Sequence, residues 1–290
     1  MSVRLLGVMT SSTAASLART TLPNSDSGVS WKGGMKTLRS LVFYSLWGLW
    51  TALFGCAIPL LWSMRSPPKL VRSLSRIWAR GILALLSGVV GLKYLERGRA
   101  RVPQIPCLIV VNHQSTWETL AALVLFPDVA IVSKRELLRI PVMGWYLGRS
   151  PMIVIDRAST SKALREMTQQ SRAALAGGRS VLIFPEGTRK RAGEPVEFKR
   201  GVELLYRTLG VPVLPVAVNS GLFWGIGGAP GKGTITVSFL TPIDPGLTAA
   251  KFTSSAEALI GREKNALERE ADARGSAAGG HANLTSLFKS

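Results

Sequence analysis

Histidine is almost missing from this chain. Only His113 and His281 occur, so a mechanism that moves protons through imidazole, the side chain best suited to that task near neutral pH, has two candidates. His281 lies in a tail rich in Gly, Ala and Ser. Cysteine is equally scarce. Cys56 and Cys107 sit in apolar runs without metal-ligand spacing; they read as buried thiols, no metal cluster is expected, and nothing calls for an oxidising compartment. Acids are few as well: 17 Asp and Glu face 36 Lys and Arg, a formal net charge of +19. Such a balance calls for an anionic partner, whether nucleic acid, anionic lipid or an acidic substrate. No nucleic-acid motif accompanies the charge, and no internal repeat is present.

The position of the charge favours a lipid surface. Residues 31–100 hold eleven Lys and Arg and the single acid Glu96, and they are also the most apolar part of the chain. Leu41 to Met64 is uncharged, and about 20 such residues suffice for a helix to cross a bilayer. Pro59 is expected to kink that helix or end it early. Ser66-Pro67-Pro68 breaks the pattern, and Leu70 to Leu92 follows as an amphipathic helix with Arg72, Arg76 and Arg80 on one face. Basic residues flank the first helix on both sides, Lys36 and Arg39 before it and Arg65 and Lys69 after it. A single span prefers its basic residues on one side, so equal flanks suit a helical hairpin dipped into one leaflet with both ends cytoplasmic; a single span stays open as the alternative. Residues 1–34 are rich in Ser and Thr with one acid, Asp26. They read as a disordered leader, or as an over-extended start with Met35 as initiator, a targeting peptide being the sharper reading.

Beyond Glu96 the pattern alternates. Short apolar runs at 107–111, 130–133, 151–155, 180–184, 212–218 and 234–240 are expected strands, with helices at 116–125, 161–176 and 199–209 between them. Alternation of this kind predicts an α/β fold: a mostly parallel sheet with helices on its faces. The chain thus divides into 1–34, the membrane-associated helices 36–92, an α/β domain over 93–250, and a tail over 251–290 that is helical over 253–274 and then disordered.

Several runs end in polar clusters, and parallel strands bring such ends to one edge, where ligands bind. After 107–111 comes Asn112-His113-Gln114-Ser115-Thr116-Trp117-Glu118. Residues five apart on a helix are about 140° apart, so His113 and Glu118 meet only if His113 lies in a turn ahead of the helix. Ser115 or Thr116 supplies the N-cap for that arrangement. A carboxylate on one ring nitrogen fixes the tautomer and stabilises the imidazolium. After 180–183 comes Phe184-Pro185-Glu186-Gly187-Thr188-Arg189, where Gly187 permits a tight turn and Arg189 offers a donor fork for phosphate. After 152–155 come Asp156 and Arg157. The blander readings are an ordinary polar turn for 112–114 and solvated surface charge for each arginine.

These segments, with Val211-Pro212-Val213-Leu214-Pro215-Val216 as a fourth, resemble the motifs of the 1-acylglycerol-3-phosphate (lysophosphatidic acid) acyltransferase family, in its bacterial form. The resemblance covers about residues 36–245. It departs at Glu118, where the family most often carries aspartate. It implies the glycerolipid acyltransferase fold and transfer of an acyl chain from acyl-CoA or acyl-carrier protein to the sn-2 hydroxyl of 1-acylglycerol 3-phosphate, giving phosphatidic acid. His113 would be the general base oriented by Glu118. Arg157, Arg189 and Lys134 would receive the phosphate, with Glu186, Gly187 and Thr188 in the same substrate-binding loop. No cofactor and no metal are expected, and no nucleic acid as partner; Ser115 lacks the setting of a nucleophile, so transfer is direct. The expected location is the inner membrane, with the catalytic domain on the cytoplasmic side. Val211–Val216 reads either as a wall of an acyl tunnel, together with the N-terminal helices, or as a plain core strand. Three other readings are an acyltransferase for another acceptor (glycerol 3-phosphate or a lyso-aminolipid), a non-catalytic membrane-anchored lipid-binding protein, and a basic nucleic-acid binder.

Overall fold

The computed structural model describes residues 31–126, 128–155 and 160–284. The expected leader therefore lies outside the described residues up to Ser30, and so do Asp156 and Arg157.

The helical region comes first. Helix α1 (Trp31–Cys56) stops just short of Pro59, which takes the second position of the short α2 (Ile58–Ser63). Proline has no N–H to donate, and the first turn of a helix is where that loss is harmless. Helix α3 (Pro68–Leu85) follows the double proline, and a π turn over Leu86–Val90 ends at Gly91, whose φ of 80° suits glycine alone. Helices α1 and α3 are tied together. The Trp50 indole donates to the Trp78 carbonyl at 3.1 Å, and the Trp78 indole donates to Thr51 Oγ1 at 3.1 Å. Gly81 makes room for this: a Cβ there would clash with the Trp50 ring.

Seven strands then form one sheet: β1 (Leu92–Arg97), β2 (Leu108–Val111), β3 (Ala130–Lys134), β4 (Ile153–Ile155), β5 (Val181–Ile183), β6 (Val213–Val218) and β7 (Gly233–Phe239). Their order is β1-β7-β6-β2-β5-β3-β4. All neighbours pair in parallel except β6 with β7. Helices α4 (Trp117–Leu125), α5 (Met143–Arg149), α6 (Thr160–Ala176), α7 (Arg200–Leu209) and α8 (Ala249–Leu284) complete the fold. The sheet is buried on both faces, so its central strands are apolar throughout. Ile109 and Val111 face a layer made by α1, α3, α4 and α5, while Leu108 and Val110 face α6, α7 and α8.

Four expectations are corrected. Strand β1 begins at Leu92, where the sequence pattern had closed a helix; it is an edge strand with polar Lys93, Glu96 and Arg97, paired only with β7 more than a hundred residues on. Helix α8 runs from Ala249 through Gly275 to Leu284 instead of ending at 274. Phe252, Ala256, Ile260 and Leu267 bury its inner face, and a helix nucleated by packing extends at little further cost. Arg72 does not lie on a lipid-facing stripe of α3. Its side chain is largely covered and forks onto Asp128, with Nη2 donating to Oδ2 at 3.2 Å, and Arg179 joins the same carboxylate. Cys56 is exposed on α1, while Cys107 is buried.

The outward face of the helical region is apolar. Leu38, Leu41, Leu49, Leu53, Leu60 and Trp62 are each more than half exposed, while Phe43, Phe54 and Leu61 turn inward. By length and composition alone, Leu38–Ser63 and Pro68–Val90 are long and apolar enough to cross a membrane. They differ in cover: 11% of the first window is buried against 39% of the second, so α3 belongs to the α/β layer and α1–α2 carry the free apolar surface.

Candidate active site

Strand β2 hands His113 to the edge of the sheet. Asn112, fully buried, extends the β2–β6 pairing with its side chain: Nδ2 donates to the Val218 carbonyl at 2.9 Å, and the Val218 N–H donates to Oδ1 at 2.8 Å. The chain then turns into α4. Thr116 occupies the N-cap position but makes no capping bond with its side chain; Ser115 Oγ accepts the Trp117 N–H instead, at 2.8 Å. With His113 ahead of the helix and Glu118 in its first turn, the two side chains meet, Nδ1 to Oε1 at 2.9 Å.

Glu118 is buried, yet it is richly supplied with donors. Besides His113, Oε1 accepts the N–H groups of Gln114 and Ser115, both at 2.6 Å, and Oε2 accepts the hydroxyls of Ser115 at 2.8 Å and Ser220 at 2.7 Å. Burial pushes its carboxyl up, but the His113 contact, the Ser115 N–H and the Ser220 hydroxyl outweigh burial and hold it below the ordinary carboxylate range. An ionised Glu118 requires a proton on Nδ1. The ring keeps 15% of its surface open, so Nε2 is the nitrogen left to accept a proton from outside.

The Phe184–Arg189 loop leaves β5, the strand beside β2. Gly187, at φ 69°, closes a turn in which its N–H donates to the Phe184 carbonyl at 3.2 Å. The Phe184 ring stacks on His113 with centroids 4.2 Å apart and 21° between planes. Glu186 turns inward, where Oε2 accepts the His113 backbone N–H at 2.6 Å, and Lys190 N–H returns to the His113 carbonyl at 2.8 Å. Burial raises the Glu186 carboxyl to about 7, against the bond from His113, with the Glu118 charge adding to the rise. Thr188 and Arg189 are exposed, and Arg189 pairs with no acid among the described residues.

Lys134 ends β3, exposed and in register with Ile155, the residue before Asp156 and Arg157. Strands lie about 4.8 Å apart, so Lys134 stands on the same edge two strands from His113, roughly 10 Å away. The structure thus gathers His113, Glu118, Glu186–Arg189 and Lys134 along one edge. Val211–Val216 is not there as a lining: Val213 to Val216 are fully buried in β6, so the segment is core strand. An apolar pocket lies instead between α4, α1, α3 and α5, walled by Leu120, Leu123, Phe54, Trp78, Tyr146 and Met152. Thr119, the residue after Glu118 in sequence, is among its lining residues.

Sequence reasoning missed the groups that hold the dyad. Ser220 was within reach, since Asn219-Ser220-Gly221 is another polar cluster at a strand end. Gln114 Nε2 donates to Glu268 Oε1 at 2.7 Å, and Lys264, itself buried, contacts Glu268 Oε2 at 3.4 Å and the Glu194 carbonyl at 2.7 Å. Those two α8 residues gave no signal, because an i,i+4 pair on a charged helix reads as solvated surface. Among the described residues no three His, Cys, Asp or Glu side chains group to hold a metal.

An imidazole braced by an ionised carboxylate at the carboxyl edge of a parallel sheet, beside a stacked aromatic and in reach of a loop whose Arg189 has no acid partner among the described residues, is an arrangement able to take a proton from an incoming hydroxyl. The Acyltransferase family model matches residues 90–219. The chain is 38% identical over 208 residues to the 1-acyl-sn-glycerol-3-phosphate acyltransferase of Pseudomonas aeruginosa, covering 70% of this chain and 79% of that one. It is 32% identical over 167 residues to the human 1-acyl-sn-glycerol-3-phosphate acyltransferase beta, covering 55% and 59%. The fold matches the crystal structure of the 1-acyl-sn-glycerophosphate (LPA) acyltransferase of Thermotoga maritima with a TM-score of 0.68 at 22% identity, over 82% of this chain and 98% of that one. This chain belongs to the 1-acyl-sn-glycerol-3-phosphate acyltransferase family.

Proposed function

We propose that the protein transfers an acyl chain from a thioester, acyl-CoA or acyl-carrier protein, to the sn-2 hydroxyl of 1-acylglycerol 3-phosphate, releasing phosphatidic acid. The observation that carries the reading is the His113–Glu118 contact, with Arg189 in the neighbouring loop free of any acid partner among the described residues. His113 Nε2 takes the hydroxyl proton as the oxygen attacks the thioester carbonyl. The tetrahedral intermediate collapses, the C–S bond breaks, and the thiolate receives the proton back from His113. Glu118 stabilises the imidazolium in between. Arg189, Lys134 and Arg157 receive the acceptor phosphate, with Glu186, Gly187 and Thr188 shaping the loop. The apolar pocket lined in part by Thr119 suits an acyl chain. The free apolar surface of α1–α2, with the basic residues around it, supports association with a membrane, where the acceptor lies; we assign it to the inner membrane with the α/β domain in the cytoplasm.

The test is acyl transfer by the purified protein against a panel of acceptors. Lysophosphatidic acid should be acylated, with glycerol 3-phosphate and a phosphate-free lyso-aminolipid poor by comparison. Preference for the phosphate-free acceptor would reject the assignment of Arg189 and with it this substrate. Parallel runs with acyl-CoA and acyl-carrier protein identify the donor.

A further inference from the structure

The loop that follows β6, Gly221 to Gly231, takes no part in the chemistry proposed above, yet it is anchored at both ends of the site. At its start Ser220 holds Glu118, and the Gly221 N–H donates to Gln114 Oε1 at 3.2 Å. Its backbone is closed on itself, Trp224 N–H to the Ser220 carbonyl at 2.9 Å and Gly231 N–H to the Phe223 carbonyl at 2.7 Å. Trp224 is 5% exposed and packs edge-on against α1, with its ring 6.1 Å from Phe43 and 6.0 Å from Trp47. Against this fixed frame Leu222 and Ile226 stay 36% and 50% exposed.

Single exposed aliphatics are ordinary. These two differ in what they continue. Trp224 fastens their loop to the stretch of α1 that also carries exposed Leu41, Val42 and Leu46, so loop and helix each offer apolar side chains to the surroundings. No acid occurs between Gly221 and Thr241, and Lys232, exposed, closes the loop beside exposed Lys93 on β1. An apolar tip with a basic border and no acid suits the headgroup layer of an anionic bilayer. The antiparallel β6–β7 turn also places this loop at the edge that carries His113.

We propose that Gly221–Gly231 is a second membrane contact, a lip that seats Leu222 and Ile226 in the interfacial layer of an anionic phospholipid bilayer beside His113. It rests on the acyltransferase reading only for its purpose: the lip sets the height of Nε2 above the surface from which the acceptor is drawn.

The test uses the full chain carrying Ile226→Glu, since that side chain is the more exposed and its replacement leaves the fold intact. Activity is compared on long-chain lysophosphatidic acid in phosphatidylglycerol-containing vesicles and on a short-chain, monomeric lysophosphatidic acid without vesicles. The vesicle rate should fall about tenfold, the effect of withdrawing one partly buried aliphatic side chain and adding a repelled charge, while the monomer rate holds. An equal loss in both assays, or none in either, would overturn the proposal. An environment-sensitive fluorophore on Ile226→Cys in a Cys56→Ser background gives a reading independent of turnover. Its emission should shift to the blue on adding the vesicles; an unchanged spectrum overturns the lip, whereas an unsubstituted chain inactive in both assays, with the labelled variant's spectrum shifted, would leave the lip standing and reject the acyltransferase assignment.

Discussion

Glu118→Gln separates the electrostatic part of the site from its architecture. The amide is isosteric with the carboxylate, so the fold has no reason to move. If its oxygen takes the Oε1 position, it still accepts from Gln114, Ser115 and Nδ1 of His113. Its NH2 then faces the hydroxyls of Ser115 and Ser220, which rotate from donor to acceptor. Each of five bonds loses its charge assistance, about 1 kcal/mol apiece. Against that, a buried carboxylate no longer has to be desolvated, a relief of several kcal/mol. The net change in stability should stay within about 2 kcal/mol. Turnover should not survive: without the negative charge the imidazolium is unsupported, and kcat should fall by about 10²–10⁴.

The assay is initial-rate acyl transfer alongside urea unfolding of the same preparations. Glu118→Asp keeps the charge but withdraws it by about 1.5 Å. The local donors of 114 and 115 can follow, but Ser220 is held in the turn after β6 and its bond stretches, so this variant should lose about tenfold. A pH series adds a sign. The folded-state carboxyl lies below its unfolded value, so its stabilisation is full above the ordinary range and is lost as pH falls through the depressed value. Relative to wild type, Glu118→Gln should therefore gain stability as the solution becomes acidic. A folded Glu118→Gln enzyme with wild-type turnover would refute the reasoning.

Three further outcomes follow from the same geometry. Arg189→Ala should raise KM for lysophosphatidic acid about tenfold to a hundredfold, the loss of one charge-assisted contact, with the donor KM unchanged; equal effects on both substrates would mean a structural role. Asp128→Ala strands Arg72, whose side chain is 12% exposed, while Arg179 keeps the backbone carbonyls of Asp128, Val129 and Pro151; since Asp128 is itself 46% exposed, the loss should be about 2 kcal/mol rather than the 3–5 of a fully buried pair, read as a lower urea midpoint. Glu186→Gln tests the carboxyl raised to about 7: its contribution is favourable below the ordinary carboxylate range and declines as pH rises through 7, so the variant should gain Tm over wild type at pH 8 more than at pH 5, and parallel pH profiles would rule that out.

The α/β pattern was legible because each central strand is an unbroken apolar run with a polar cluster at its end, and both signals are local. The His113–Glu118 meeting was legible for the same reason, since a turn-then-helix reading of seven residues fixes it. Strand β1 was not legible. Its pairing with β7 is remote in sequence, and Lys93, Glu96 and Arg97 interrupt any apolar run. Arg72 was misread because nothing within α3 announces Asp128, fifty-six residues away. Gln114, Glu268 and Lys264 share that obstacle: hydrogen bonds between a loop and a distant helix leave no period in the chain. The stretch from Gly275 to Leu284 was misread from composition, which cannot register that α8 is already nucleated by Phe252 and Ile260 against the sheet.

The two acids around His113 show how one strand end runs two environments. Glu118 has five donors and sits below the ordinary carboxylate range; Glu186 has burial, one backbone N–H and a neighbouring negative charge, and is raised to about 7. Their surroundings push the pair apart, as expected where two carboxyls do different work. The consequence bears on the acceptor. A lysophosphatidate brings close to two negative charges, and two fully ionised buried carboxylates beside it would repel it. With Glu186 only partly ionised near neutral pH, the proposed site offers Arg189 and Lys134 against little more than the one charge that His113 requires, the Lys190 ammonium being taken up by Glu194 and Glu197. Raising the pH ionises Glu186 and should weaken acceptor binding before it affects the dyad, so KM for lysophosphatidic acid should climb above pH 7 while kcat holds, and Glu186→Gln should flatten that climb.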